Sequence, residues 1–60
     1  MPYHSEEEIY NEIEDIGVPL NWRMEAFLFL TSNQLKSRQF FGFPKEHRFE
    51  LLVRMMQPPS

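Results

Sequence analysis

Apolar residues recur at the spacing of an α-helix in four stretches of the chain, separated by short polar or Gly/Pro-containing breaks. The predicted helices cover residues 6–16, 22–30, 32–41 and 44–56. No stretch alternates apolar and polar residues as a half-buried strand does. The pattern therefore predicts an all-α fold of three to four short helices in a single compact domain over residues 1–60, with frayed tails at 1–4 and 57–60.

The first helix has sequence signals at both of its ends. Ser5 is placed as the N-cap, and Glu8 three residues later completes a capping box. Gly17 supplies the left-handed residue that ends the helix. Its buried stripe consists of Ile9, Ile13 and Ile16.

The second predicted helix, residues 22–30, is the most apolar of the four. Its only charged residues are Arg23 and Glu25, so we expect it to be central and mostly buried. Asn21 is the expected N-cap because its short polar side chain can accept a hydrogen bond from the first turn.

The break between the second and third helices rests on poor helix formers at residues 31–33. Thr31 with Gln34 predicts a second capping box, and Leu30 with Leu35 predicts a hydrophobic staple beside it. A single continuous helix through residue 41 is the alternative, because three unfavourable residues can also lie within a helix.

The last helix is predicted to begin at Pro44, whose missing N–H would have no intrahelical partner at that position. Glu50 and Arg54 form a favourable i,i+4 pair. Leu51 and Met55 lie too far round the helix to share one narrow contact with the main apolar stripe. That core stripe consists of Phe49, Leu52, Val53 and Met56.

The sequence FFGFP at residues 40–44 concentrates three phenylalanines around one glycine. Within one helix, Phe40 and Phe41 point to opposite sides of Leu35, so they cannot both follow its stripe. We therefore expect one or two of the three rings in the core and the rest in an exposed patch. The predicted partner-binding patch contains Phe40, Phe41, Phe43, Leu51 and Met55. The competing interpretation is that all of these side chains belong to the core.

Exposed aromatic and methionine side chains on a small charged domain are typical of a protein contact. The sequence therefore predicts a non-enzymatic protein–protein interaction module, an adaptor, regulator or inhibitor. Its partner is expected to be another protein or a second copy of the chain as a homodimer.

Charge divides unevenly along the chain, whose formal net charge is −3. Residues 1–20 carry no Lys or Arg, whereas all six basic residues lie beyond them. This asymmetry indicates either a nucleic-acid or membrane contact by the basic part or packing of the acidic segment beside it, and we favour the packing. Glu14 and Asp15 lie unfavourably at a helix C-terminus. Their expected intramolecular partners are Arg23, Lys36 or Arg54.

The alternative function is a helix-turn-helix-like nucleic-acid-binding regulator formed by residues 34–54, with Gly42 in the turn. Two residues weaken this interpretation: Arg38 stands where a small residue is needed, and Arg48 stands where a buried aliphatic residue is expected. The predicted nucleic-acid contacts would be Lys36, Arg38, Lys45, His47 and Arg48.

The chain lacks the residue patterns of most catalytic sites. It has no cysteine, two histidines and two glycines, too few for a zinc site, a phosphate-binding loop or a nucleophile elbow. Its longest apolar run, residues 26–30, is far shorter than the roughly 20 residues of a membrane span. We therefore expect no enzyme activity, cofactor, metal or membrane contact, and a cytoplasmic location.

Overall fold

The computed structural model describes residues 4–57, which form four α-helices and one turn of 3₁₀ helix. The elements in chain order are α1 (Glu6–Asp15), α2 (Leu20–Thr31), α3 (Gln34–Gly42), the 3₁₀ helix (Lys45–His47) and α4 (Arg48–Met56). The predicted all-α fold is confirmed, and the described part of the chain contains no strand. The separation of α2 from α3 is also confirmed over the continuous alternative.

The two ends of α1 form as predicted. The Ser5 hydroxyl accepts the Glu8 backbone N–H at 3.1 Å, and the Ser5 N–H donates to the Glu8 carboxylate at 2.8 Å. Gly17 has a φ of 88°, the left-handed conformation that disfavours any side chain. Both signals are local, so the sequence alone was enough to identify them.

The start of α2 differs from its prediction. The helix begins at Leu20, with Pro19 as the capping residue, so Asn21 lies inside the first turn and does not cap. The Pro19 carbonyl accepts the Trp22 N–H at 2.9 Å. Proline preceding the helix therefore sets the entry angle through its fixed φ, without a side-chain cap.

The second capping box does not form. The Thr31 hydroxyl donates back to the Phe27 carbonyl at 2.8 Å, and the cap of α3 is Asn33, whose side-chain oxygen accepts the Leu35 N–H at 2.7 Å. The predicted staple is also wrong, since Leu30 is fully buried whereas Leu35 is 54% exposed.

The connection from α3 to α4 is longer than predicted. Phe43 and Pro44 are extended, and Pro44 precedes the 3₁₀ turn, so it is not the first residue of α4. Gly42 is the last residue of α3 and does not have a positive φ. The glycine turn on which the helix-turn-helix alternative depended is therefore not formed.

The core lies where α2 meets the other three helices. Phe40 of α3 has the largest fully buried side chain, and Leu52 of α4 is buried beside it, as predicted. Phe49 was predicted in the same stripe but is 39% exposed. Its ring lies at the rim of the core, where it packs edge-on against Trp22. The buried apolar residues are Ile9, Ile13, Val18, Ala26, Leu30, Phe40 and Leu52.

The predicted frayed tails lie outside the described residues except for His4 and Gln57. The His4 ring stacks on Phe41 with their centroids 3.8 Å apart. The N-terminal tail at His4 is therefore packed against α3.

Candidate functional site

The phenylalanines of the predicted partner-binding patch separate between core and surface. Phe40 is fully buried, so it cannot contact a partner in this fold. Phe41 is half-buried between the His4 ring and the Arg48 guanidinium, whose carbon lies 5.4 Å from the ring centroid. Both of these residues therefore stabilise the fold, and the prediction that they bind a partner is not supported by their placement.

Of the remaining three patch residues, Leu51 and Met55 lie on α4 and Phe43 lies just before the 3₁₀ turn that precedes it. Phe43 is 41% exposed, while Leu51 and Met55 are half-buried. Phe43 and Leu51 share a shallow, mostly apolar cavity of about 180 Å³. Its other lining residues are His47, Glu50 and Arg54. The predicted patch is thus reduced to a small depression, with Met55 outside its lining.

The predicted nucleic-acid contacts are divided between internal interactions and the surface. The Lys45 ammonium binds the carboxylates of Glu12, at 3.0 Å, and Asp15. Its hydrogen bonds, to Asp15 first and then Glu12, raise the pKa of Lys45. Lys36 lies over the Phe29 ring, 4.2 Å from its centroid. Arg38, His47 and Lys45 itself are exposed.

Arg48 connects three parts of the fold. Its Nη1 donates to the Glu12 carboxylate at 2.7 Å, while Nε and Nη2 donate to the carbonyls of Phe43 and Phe41 at 2.9 and 2.8 Å. The Arg48 and Glu12 side chains are only 16% and 13% exposed. The guanidinium therefore caps the end of α3 and anchors it to α1, an arrangement that bidentate, planar arginine suits.

The acidic end of α1 is neutralised by basic side chains of the same chain. Arg23 pairs with Glu14 at 3.4 Å and also donates to the Val18 carbonyl at 2.9 Å, which confirms one of the predicted partners. Asp15 pairs with Lys45, which was not among those predicted. The expectation that the acidic segment packs beside the basic part is confirmed.

The most exposed large apolar side chains of the described chain lie on α2, which sequence reasoning placed in the interior. Leu20, Met24 and Leu28 are 74%, 72% and 59% exposed. Their i, i+4, i+8 spacing puts them on one stripe, on the side opposite the buried Ala26 and Leu30. We call these three residues the α2 outer stripe. The prediction that α2 is mostly buried is therefore wrong.

Acidic residues border the α2 outer stripe on both sides. On one side the Tyr10 ring of α1 packs edge-on against Phe27 with centroids 6.0 Å apart, and Glu7 and Glu14 lie one turn away on the Tyr10 side of α1. On the other side lies the exposed Glu25. Helical periodicity and an acidic first helix were the sequence signals available for this surface, but neither shows which side of an apolar helix is left uncovered.

The described residues 4–57 bring no three His, Asp or Glu side chains together as metal ligands. None of their helices has the length and apolar character that crossing a membrane requires. Comparisons with protein-family models, with curated proteins and with solved structures found no match for this chain.

Proposed function

We propose that this protein is a non-enzymatic protein–protein interaction module that binds its partner through the α2 outer stripe. The observation that carries the proposal is the exposure of Leu20, Met24 and Leu28 on one continuous helix face. Continuous exposed apolar surface on a small domain is typical of a contact site.

The energy available from this face supports the proposal. Complete burial of a leucine or methionine side chain contributes about 1.5 to 3 kcal/mol, and all three side chains are more than half exposed. Burying the stripe against a partner therefore contributes a favourable binding free energy of several times the thermal energy, from which the cost of association must be subtracted.

The rigidity of α2 also favours this function. Ala26 and Leu30 on its inner side are fully buried, and Arg23 ties it to α1 through Glu14. The stripe is held in its conformation before any partner arrives. A preformed helix face loses little conformational entropy on binding, which favours affinity.

The two other interpretations have weaker support. The Phe43–Leu51 depression offers only two apolar side chains, and its other lining residues are His47, Glu50 and Arg54. For nucleic-acid binding, Lys45 and Arg48 already engage carboxylates of α1. A phosphate would have to displace those pairs, so the electrostatic gain of binding would be reduced.

Site-specific photo-crosslinking in cells that express the protein tests this proposal. A photoreactive residue in place of Met24 is expected to give a discrete adduct with another protein. The same residue in place of Gln39, exposed on α3, is the matched control and should give none. Adding Leu28→Gln to the protein that carries the photoreactive residue at position 24 should abolish the adduct and leave the melting temperature unchanged. Adducts equally abundant from both positions, or insensitive to Leu28→Gln, would refute the proposal.

A further inference from the structure

We infer that the occupant of the α2 outer stripe is a basic amphipathic helix of another protein, with apolar residues along its centre and Lys or Arg along its edges. This inference rests on the proposed function and adds the chemistry of the partner. It depends on the charge distribution around the stripe.

The charged residues of α1 and α2 are mostly acidic: α1 carries six acidic residues, and α2 carries Glu25 and Arg23. Among the residues of α1 and α2, Arg23 alone is basic, and its guanidinium is paired with Glu14. Glu7 on the α1 side and Glu25 on the α2 side are exposed. A partner lying along the stripe therefore has the acidic α1 on one side and Glu25 on the other. Lys36, held over the Phe29 ring one turn from Glu25, adds one positive charge on that side. The balance is acidic, so basic edges on the partner would be complementary.

The shape of the stripe suits a helix. Leu20 and Leu28 are eight residues apart, so the stripe is about 12 Å long, a little over two helical turns. Its side chains form an i±4 ridge, and such a ridge packs into the groove between side-chain rows of another helix. Tyr10 and Phe27 lie along the α1 border and can contact a partner helix that leans to that side.

A second copy of this chain fits the same surface poorly. A two-fold contact with antiparallel α2 helices places the Glu25 edge against the partner copy's Glu25 edge. A parallel contact places the Glu25 edge against the other copy's Glu7 edge. Both arrangements juxtapose like charges, and each copy also carries a net charge of −3.

The test uses two labelled synthetic helical peptides with the same leucine positions, one with lysines and one with glutamates along both edges. Binding to the full chain is followed by fluorescence anisotropy. The lysine peptide is expected to bind at least about tenfold more tightly than the glutamate peptide, and its affinity should fall as salt is raised above physiological ionic strength. Met24→Gln should weaken binding of the lysine peptide severalfold.

Charge-matched double variants show whether the acidic border is responsible. Glu7→Gln with Glu25→Gln should remove most of the preference for the lysine peptide. Glu46→Gln with Glu50→Gln changes net charge equally but lies on the 3₁₀ turn and α4, so the preference should remain. If both double variants lose it equally, the preference reflects net charge alone and the inference is refuted.

Three other results would overturn the inference. Equal affinity for the two peptides would show that the contact is purely apolar. Sedimentation showing a dimer that Met24→Gln dissociates would identify a second copy as the occupant. Binding to phosphatidylserine vesicles that Met24→Gln abolishes would identify a membrane surface. In the first two cases a Met24-dependent crosslink in cells still supports the proposed function, so the two proposals fail separately.

Discussion

The two glycines of the chain have different conformations, although at neither would an added Cβ lie within 4 Å of an atom from another part of the chain. Gly17 has a positive φ, whereas Gly42 ends α3 without one. We expect Gly17→Ala to destabilise the fold by about 1 to 2 kcal/mol, because an L-residue is strained in the left-handed region. Gly42→Ala should stabilise it by roughly 0.4 to 1 kcal/mol, because it restricts the unfolded chain without steric conflict.

Urea denaturation of both variants checks this pair of predictions, each variant serving as the control for the other. If both substitutions change the free energy of unfolding in the same direction, the conformational difference between the two positions is not what determines their effects.

At the scale of single residues, the sequence predicted those features that depend only on residues close together in the chain. The Ser5–Glu8 capping box and the Gly17 turn each involve a few adjacent residues, and both are confirmed. Phe40 is buried whereas Phe43 is exposed, and this difference depends on where α4 packs. The sequence predicted that the rings would separate between core and surface, but it did not predict which ring would go where.

Between elements, the main polar connection is Arg48, which pairs with Glu12 and donates to the carbonyls of Phe41 and Phe43. We expect Arg48→Met to lower the free energy of unfolding by about 2 to 3 kcal/mol, because the largely buried Glu12 carboxylate keeps only Lys45 as a cationic partner and two carbonyls lose their donor. Glu12→Gln should cost less, since the amide oxygen still accepts a hydrogen bond. The double variant should be less destabilised than the sum of the two.

A double-mutant cycle by chemical denaturation measures this coupling. Arg54→Met is the matched control, because Arg54 and Glu50 form an exposed i,i+4 pair and its loss should change stability by less than about 0.5 kcal/mol. Additive effects of the Arg48 and Glu12 substitutions would show that the two side chains do not stabilise the fold as a pair.

Element boundaries were predictable to within a few residues, and the largest difference is at the start of α4. The 3₁₀ turn delays the start of α4 to Arg48, where the guanidinium reaches both Glu12 and the end of α3. The unfavourable place of Arg48 in a helix-turn-helix was evident from the sequence. Predicting its contacts with Glu12 would have required knowing that α1 lies beside Arg48, and the local sequence pattern does not contain that information.

On the scale of the whole molecule, an apolar helix can be central in sequence and still have an uncovered side. In a chain of 60 residues, α1, α3 and α4 are too short to surround α2 completely, so Met24 and its neighbours face outward. Hydrophobic periodicity identifies a side that must be buried only when the opposite side is polar. In α2 both sides are apolar, so the pattern gave no indication of the candidate site.

The acidic and basic parts of the chain are brought together only in the folded molecule. Lys45 pairs with acidic residues of α1 at the junction between α1 and the 3₁₀ turn. Its pairing with Asp15 and Glu12 holds the pKa of Lys45 above its usual value of 10.5. Because the folded-state pKa is raised, the stabilisation is fully present below pH 10.5 and is lost as pH rises through the folded-state value. We therefore expect the stability advantage of wild type over Lys45→Met to be constant from neutral pH to about pH 10 and to shrink above it.

Thermal melts of wild type, Lys45→Met and Asp15→Asn across this alkaline range measure the effect. Asp15→Asn removes the largest cause of the raised pKa but keeps the lysine, so its alkaline decline should begin at lower pH than that of wild type. A wild-type advantage over Lys45→Met that persists unchanged through the alkaline range would show that the Lys45 cluster does not contribute to holding α1 against the 3₁₀ turn.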